Sequence, residues 1–288
     1  MCDTCGCGQP GAPVRITKPG EEESPHSHDH QHDHDTHHDH RHPHEHSHDH
    51  QHDHDTHHEH SHSHAHEVQD QRLIRVQEEI LGKNRLLASR NSGYFDGRGI
   101  LAVNMMSSPG SGKTTLLEHT IAGLKGKKMV AVIEGDQQTL NDARRIEATG
   151  APVVQVNTGN ACHLDAEMVM NAAKKLDPRT GSILFIENVG NLVCPSLFEL
   201  GEHLRVVMVS TTEGEDKPLK YPTMFARADL CIFSKTDLLP YVEFDVEKCS
   251  VYARQINPDM EILQLSAKTG EGMAEWISWI LERTGQGS

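Results

Sequence analysis

The sequence predicts an α/β fold, a mostly parallel sheet flanked by helices, preceded by a disordered N-terminal tail. Three observations carry that expectation. From Ile100 onward, continuous apolar runs alternate with helical stretches, the pattern of parallel strands buried on both faces. The first run leads into SSPGSGKTT (Ser107–Thr115). Ahead of the sheet, residues 26–66 hold 21 of the chain's 24 histidines and almost no aliphatic or aromatic side chains, so they cannot bury enough apolar surface to offset their ordering entropy.

Taken in chain order, residues 1–67 form the tail. Residues 26–40 recur almost unchanged at 46–60, a duplicated unit of low complexity. Leu73, Val76, Ile80 and Leu87 then fall on one face of a helix from Val68 to about Asn91, which Asn91-Ser-Gly ends. Strands follow at 100–106, 128–134, 152–157, 182–187, 206–210, 230–234 and 261–266. Helices are expected after Lys113, over 139–149, over 163–176 with Cys162-His163 at its start, and around Met273, Trp276, Ile277 and Ile280. The domain reading is a Cys motif (1–20), a His-rich tract (21–67), a helical linker (68–98) and a nucleotide-binding domain (99–284).

Net charge is −15 over 288 residues, and residues 21–67 account for −12 of it. The remainder is near neutral and shows no basic face for nucleic acid. No apolar run approaches the roughly 20 residues needed to span a bilayer. The start, MCDTCGCGQP, lacks the basic and apolar regions of a secretory signal. Seven cysteines, three of them in the first seven residues, suit a reducing compartment rather than a disulfide scaffold. The expectation is a cytoplasmic protein without membrane or nucleic-acid partners.

The loop after the first strand fits the phosphate-binding pattern of a P-loop NTPase. Ser107 replaces the first glycine, and Gly112-Lys113-Thr114 match. Backbone N–H groups from Gly110 through Ser111 and Gly112 to Lys113 would surround the β-phosphate at a helix N-terminus. Lys113 would neutralise phosphate oxygens, Thr114 would ligate Mg²⁺, and Thr115 completes the motif. VIEGD places Glu134 and Asp136 at a strand end, where Asp136 could hold Mg²⁺ or orient the attacking water. ENVG places Glu187 and Gly190 where GTPases carry Asp-x-x-Gly, with the Glu187 carboxylate acting on the Mg²⁺ shell and Gly190 offering an N–H to the γ-phosphate. Ser234-Lys235-Thr236-Asp237 is similar to the guanine motif, because a carboxylate at Asp237 accepts from donors that adenine lacks. Ser266-Ala267-Lys268 would complete that pocket.

Three constellations suit a borderline metal. Cys2, Cys5 and Cys7 pack three thiolates, beside the α-amino group, into a set fit for Ni²⁺ or Zn²⁺. The tract from His26 to His66 offers imidazoles for about five ions at roughly four per ion, with affinity falling near about pH 6. Its role would be low-affinity storage. Cys162, His163 and Cys194 form the third group. A loop that repositions Gly190 when the γ-phosphate is lost would carry Cys194 with it.

MCDTCGCG, SSPGSGKTTLL, VIEGDQQTLNDA, ENVGNLVCPS, TEGEDKPLKYP and SKTDLLPY together resemble the hydrogenase nickel incorporation GTPases of the HypB family, within the SIMIBI class of P-loop GTPases. The resemblance covers nearly the whole chain. It implies a tight nickel site at the N-terminal cysteines, and a weaker nickel or zinc site at Cys162, His163 and Cys194 on a GTP-dependent homodimer interface. It further implies slow GTP hydrolysis, a small nickel/zinc chaperone partner, HypA, and delivery of nickel to the large-subunit precursor of [NiFe] hydrogenase. Lys217 and Lys220 would reach nucleotide across the dimer. Two alternatives stay open at this point: a urease-type nickel accessory GTPase, and a nickel-storage protein with a vestigial G domain.

Overall fold

A computed structural model describes residues 14–20, 63–137, 140–159 and 161–284, with residues 63–74 described by their backbone alone. Cys2, Cys5, Cys7 and the histidines from His26 to His62 lie outside the described residues. Among those described, 14–20 and 78–284 belong to one compact unit and 63–77 to a second.

Eight strands make a single sheet among the described residues: β1 (Arg15–Thr17), β2 (Leu101–Ser107), β3 (Val130–Asp136), β4 (Val153–Asn157), β5 (Ile183–Glu187), β6 (Leu204–Ser210), β7 (Leu230–Ser234) and β8 (Glu261–Gln264). Their order is β1-β4-β3-β5-β2-β6-β7-β8. Every pairing is parallel except the antiparallel contact of β1 on β4. The helices are α1 (Ser63–Gly97), α2 (Lys113–Leu124), α3 (Asn141–Ala148), α4 (Ala166–Leu176), α5 (Cys194–Leu197), α6 (Lys217–Lys220), α7 (Pro222–Phe225), α8 (Val246–Ile256) and α9 (Met273–Arg283). No described helix is long and apolar enough to cross a membrane.

Alternation along the strands divides the core. Val103 and Met105 of β2, with Val206 and Met208 of β6, face α2 and α9, where Leu116, Leu117, Trp276 and Ile280 are buried. Ala102 of β2 faces the other way, with Leu184, Ile186, Phe95 of α1 and Val169 of α4. Met106, Val207 and Val209 pack with Phe225 of α7 and Cys249 of α8. Successive strand residues point to opposite faces, so each apolar run supplies two layers at once.

Three expectations are corrected, and one helix is added. The tail is not structureless throughout, since residues 15–17 pair with the β4 edge as an eighth strand. The first helix does not end at Asn91-Ser-Gly but runs to Gly97, with Phe95 fully buried at its end. Asn91 is not a terminator because its side chain is committed elsewhere, donating to Ala166 O (2.8 Å) and Leu200 O (2.7 Å). Cys162-His163 does not open a helix: α4 starts at Ala166, and its N-cap Asp165 accepts from Met168 N. Helix α8, Val246–Ile256, was not anticipated; its N-cap is Asp245.

Asn84 and Asn91 pin α1 to the segments that carry the site. Asn84 donates to Glu199 O (2.7 Å) and accepts from Ala166 N (2.9 Å). Replacing Asn91 with alanine strands two buried carbonyls, a loss of about 2–4 kcal/mol. Urea unfolding should show a stability loss of that size, read as a lower midpoint at unchanged slope; a change under about 0.5 kcal/mol would mean water replaces both bonds.

Candidate functional site

The strand order puts β2 between β5 and β6, a switch point of the kind where open α/β sheets bind ligands at their carboxyl ends. The loop from Ser107 to Gly112 turns there. Gly110 (φ +75°) and Gly112 (φ +94°) adopt left-handed backbone that side-chain-bearing residues rarely take. Gly112 caps α2 without any side-chain bond, leaving the first N–H groups of the helix to a ligand. Ser107, in place of the usual glycine, accepts from Lys113 Nζ at 3.0 Å. That bond holds the buried ammonium at the loop.

Around the loop lies a cavity of about 520 Å³, lined by Gly110, Gly112, Lys113, Thr114, Thr115, Glu134, Asp136, Arg145, Glu187, Asn188, Gly190 and Lys235. A second cavity of about 220 Å³ adjoins it, lined by Ser111, Gly112, Thr115, Leu116, Met208, Ser234, Lys235, Asp237, Leu238, Leu265, Ser266, Ala267 and Lys268. Its slot between apolar side chains, with Asp237 in its lining, fits a planar base. Ser266 Oγ donates to Asp237 Oδ1 at 2.7 Å. Ser234 Oγ donates to Ser111 O at 2.8 Å, and Lys235 Nζ donates to Gly110 O at 2.7 Å. The serine that stands where asparagine is usual thus still ties the base loop to the phosphate loop.

Glu134 and Glu187 sit opposite each other in the β3–β5 register, both buried. Burial and the neighbouring Glu187 push the Glu134 carboxyl well above its ordinary value. Burial raises Glu187 too, against the opposing charge of Lys113. Thr114 Oγ1 donates to Glu187 Oε1 at 2.9 Å, while Glu134 Oε2 and Glu187 Oε2 have no partner. Two orphaned carboxylate oxygens beside a threonine hydroxyl are hard donors that fit Mg²⁺. Sequence alone assigns that duty to Asp136, which lines the same cavity at the end of β3, and to Glu187; Glu134 has no role until the register pairs it with Glu187.

Cys162, His163 and Cys194 offer three donor atoms within 4.8 Å of one another. Cys162 Sγ lies 3.9 Å from His163 Nδ1, and the imidazole stacks on Phe198 at 4.0 Å between centroids. Burial lowers the pKa of His163, favouring the neutral ring that ligates metal. Two thiols and an imidazole, half-buried, suit Zn²⁺ or Ni²⁺ and leave a position for a further ligand. The two sites share Asn188, whose Oδ1 accepts from Leu164 N (3.2 Å) beside the cysteine–histidine pair and from Val189 N (3.0 Å). Asn188 also lines the phosphate cavity. No sequence signal pointed to it, because a lone asparagine in ENVG reads as a loop residue.

Lys217 Nζ bonds Ser108 Oγ and Glu213 Oε2, each at 3.0 Å, and Glu213 also accepts from Ser108 and Ser111. Lys220 pairs with Asp216 at 2.6 Å. Both lysines therefore have partners within their own chain.

Fold and site together define a nucleotide-binding P-loop protein with a cluster of soft donor atoms beside its phosphate cavity. Residues 101–264 match the family described as CobW/HypB/UreG, nucleotide-binding domain. The chain is 55% identical to the hydrogenase maturation factor HypB of Azotobacter vinelandii, covering 76% of this chain and 72% of that protein. It is 48% identical to the HypB of Escherichia coli (strain K12), across 97% of this chain and 98% of the relative. The crystal structure of HypB from Helicobacter pylori in complex with nickel superposes with a TM-score of 0.67 at 38% identity, covering 71% of this chain and 96% of that one. The chain belongs to the HypB family of hydrogenase maturation factors.

Two predictions follow from the geometry. Because Glu134 has a raised folded pKa, the folded state keeps a proton that the unfolded chain releases above its ordinary 4.5. Stability is therefore lost as pH rises through that window. Glu134→Gln should raise the melting temperature of the ligand-free protein by a few degrees at roughly pH 7 to 8, and flatten its pH dependence there. The same variant should lose at least about tenfold in Mg²⁺-dependent turnover. A lower melting temperature would sink the account. A Cβ on Gly190 would meet Pro109 Cα at 2.9 Å and Pro109 N at 3.0 Å, so Gly190→Ala should weaken nucleotide binding by about tenfold or more in a titration calorimeter, without unfolding the chain.

Proposed function

We propose that this chain is a nickel-binding GTPase that stores nickel and uses GTP binding and hydrolysis to assist nickel insertion into the large subunit of [NiFe] hydrogenase. The observation that carries the reading is Asn188, which lines the phosphate cavity and bonds the backbone next to His163. A loop that answers to the γ-phosphate through Gly190 and Asn188 alters the spacing of Cys162, His163 and Cys194, and so their hold on metal. The nickel complex of the H. pylori relative supports nickel as the cargo.

In this reading Asp237 accepts the guanine N–H donors and Ser266 keeps its carboxylate oriented. Ala267 and Lys268 close the base pocket, and N–H groups of Gly110 to Lys113 cradle the phosphates. Lys113 spreads the developing charge over the leaving oxygens, and Asp136 orients the attacking water. Bound Mg²⁺ would supply further charge neutralisation at the phosphates, held by Thr114 and Glu187 with Glu134. Residues 1–20 serve as a tight metal motif, 21–67 as storage, 68–98 as linker and 99–284 as the GTPase. The working form is a GTP-dependent homodimer in the cytoplasm, with HypA as the metal-chaperone partner and the hydrogenase large-subunit precursor as client. Zn²⁺ satisfies the Cys162–His163–Cys194 donors as well as Ni²⁺ does.

The test is nickel–thiolate charge-transfer absorption in a chain with Cys2, Cys5 and Cys7 replaced by serine, recorded with GDP and with a non-hydrolysable GTP analogue. Histidine-bound nickel is silent in that band. Affinity should differ at least about fivefold between the nucleotides, the lower end of ordinary coupling, and the band should vanish on Cys194→Ala. Equal affinities would leave metal and nucleotide as mere neighbours.

A further inference from the structure

No motif points to Arg145, yet it lines the phosphate cavity from α3. Its guanidinium forks onto α2. Nε and one terminal nitrogen donate to Glu118, at 3.3 and 2.5 Å, and the other terminal nitrogen donates to Asp142 at 3.2 Å. The terminal nitrogen on Glu118 also donates to Thr115 Oγ1 at 2.9 Å. A guanidinium only donates, so Thr115 Oγ1 is the acceptor and its own hydrogen points elsewhere. Among the described residues the hydroxyl has Arg145 as its one partner.

Position says where that hydrogen goes. Thr115 lines both the phosphate cavity and the base cavity, a place it shares with Gly112 and Lys235. A nucleotide with its base at Asp237 and its phosphates on the loop crosses between the cavities at these residues. The part of it that lies there is the sugar and the α-phosphate. The backbone N–H of Thr115 precedes the first helical bond, from Leu116 N to Gly112 O at 2.9 Å, so it too is left for an anion.

A tie between helices does not account for the arrangement. The Arg145 and Glu118 side chains are 42% and 28% exposed, and an ion pair so placed contributes little to stability. Joining α3 to α2 takes Glu118 alone. The bond to Thr115 is the one that bears on the cavity.

Resting on the guanine-nucleotide reading proposed above, we propose that Arg145 is a positioning residue: by donating to Thr115 Oγ1, it turns that hydroxyl's hydrogen onto a non-bridging oxygen of the α-phosphate. Glu118 and Asp142 hold the guanidinium in plane and offset its charge, so its contribution is direction rather than net attraction. Donation to the hydroxyl oxygen also polarises the O–H and strengthens the bond it makes in turn. The two non-bridging α-oxygens are distinct in a chiral site, and the hydroxyl selects one of them.

The two α-thio diastereomers of GDP read this choice, since sulfur replaces one oxygen or the other and accepts hydrogen bonds weakly. Each is titrated calorimetrically into the full chain with Mg²⁺ present. The parent should bind one diastereomer at least about threefold more tightly than the other. That ratio should fall to near one in Thr115→Val, which keeps the shape and removes the hydroxyl. It should fall likewise in Arg145→Ala, with melting temperatures of both variants close to the parent's. Loss of positive charge alone would weaken both diastereomers alike and leave the ratio standing, which separates direction from attraction. A parent ratio near one, or a ratio that survives either substitution, overturns the assignment. A chain that binds neither diastereomer overturns the guanine-nucleotide reading itself, a result distinct from those failures.

Discussion

The parallel register of β2, β3 and β5 is the constraint on which the rest of the site depends. Pairing levels Met105 with Glu187 and Glu134 with Glu187, so three chain segments leave the sheet at one height. The phosphate loop, the Glu134–Asp136 turn and the Asn188–Gly190 turn are then neighbours without any long excursion. A slip of one residue in β5 would turn Glu187 to the opposite face and bring an apolar side chain to Thr114. The apolar runs forbid that slip, since it would exchange Leu184 and Ile186 with Ile183 and Phe185 between two differently shaped core layers.

The same register makes the ligand-free site electrostatically unsettled. Two carboxyls side by side in a sheet interior cannot both ionise without a cation, and burial alone already disfavours the charge on each. Lys113 offsets part of this at Glu187. The remainder is borne by the two oxygens without partners. A core optimised only for stability would not keep them, so their retention is itself an argument for a ligand that completes them.

Much of this architecture was legible in the chain. Continuous apolar runs gave the interior strands to within two or three residues, because strands buried on both faces leave little ambiguity. SSPGSGKTT marked the phosphate loop because Gly110 and Gly112 need backbone that other residues avoid. What escaped was set by distant partners. Asn91 reads locally as a helix stop, yet two carbonyls far along the chain claim its side chain. Arg15-Ile16-Thr17 is too short to signal a strand until a sheet edge exists to receive it. The partnership of Glu134 with Glu187, and the bridging of two loops by Asn188, depend on which strand lies beside which. A single sequence does not encode that order in any local pattern.

Donor chemistry keeps the two candidate ion sites apart while geometry keeps them close. Thr114, Glu134 and Glu187 present only oxygen, which suits a hard ion that keeps its own water. Cys162, His163 and Cys194 present sulfur and nitrogen, which favour borderline metals by many orders of affinity over magnesium. Neither ion competes well for the other's site, so a change at one can be read at the other without exchange of cargo. A link between them would be mechanical, and Asn188 has the geometry for it: one amide oxygen receives N–H groups from both loops. Any shift of the segment that follows β5 must either lengthen the bond to Leu164 or move Leu164 with it. Leu164 packs so closely on Gly135 that a side chain there would overlap it. The second course therefore displaces the backbone of β3 at the edge of the phosphate cavity. Coupling of the kind proposed needs no long pathway, because the two loops share a single hydrogen-bond acceptor.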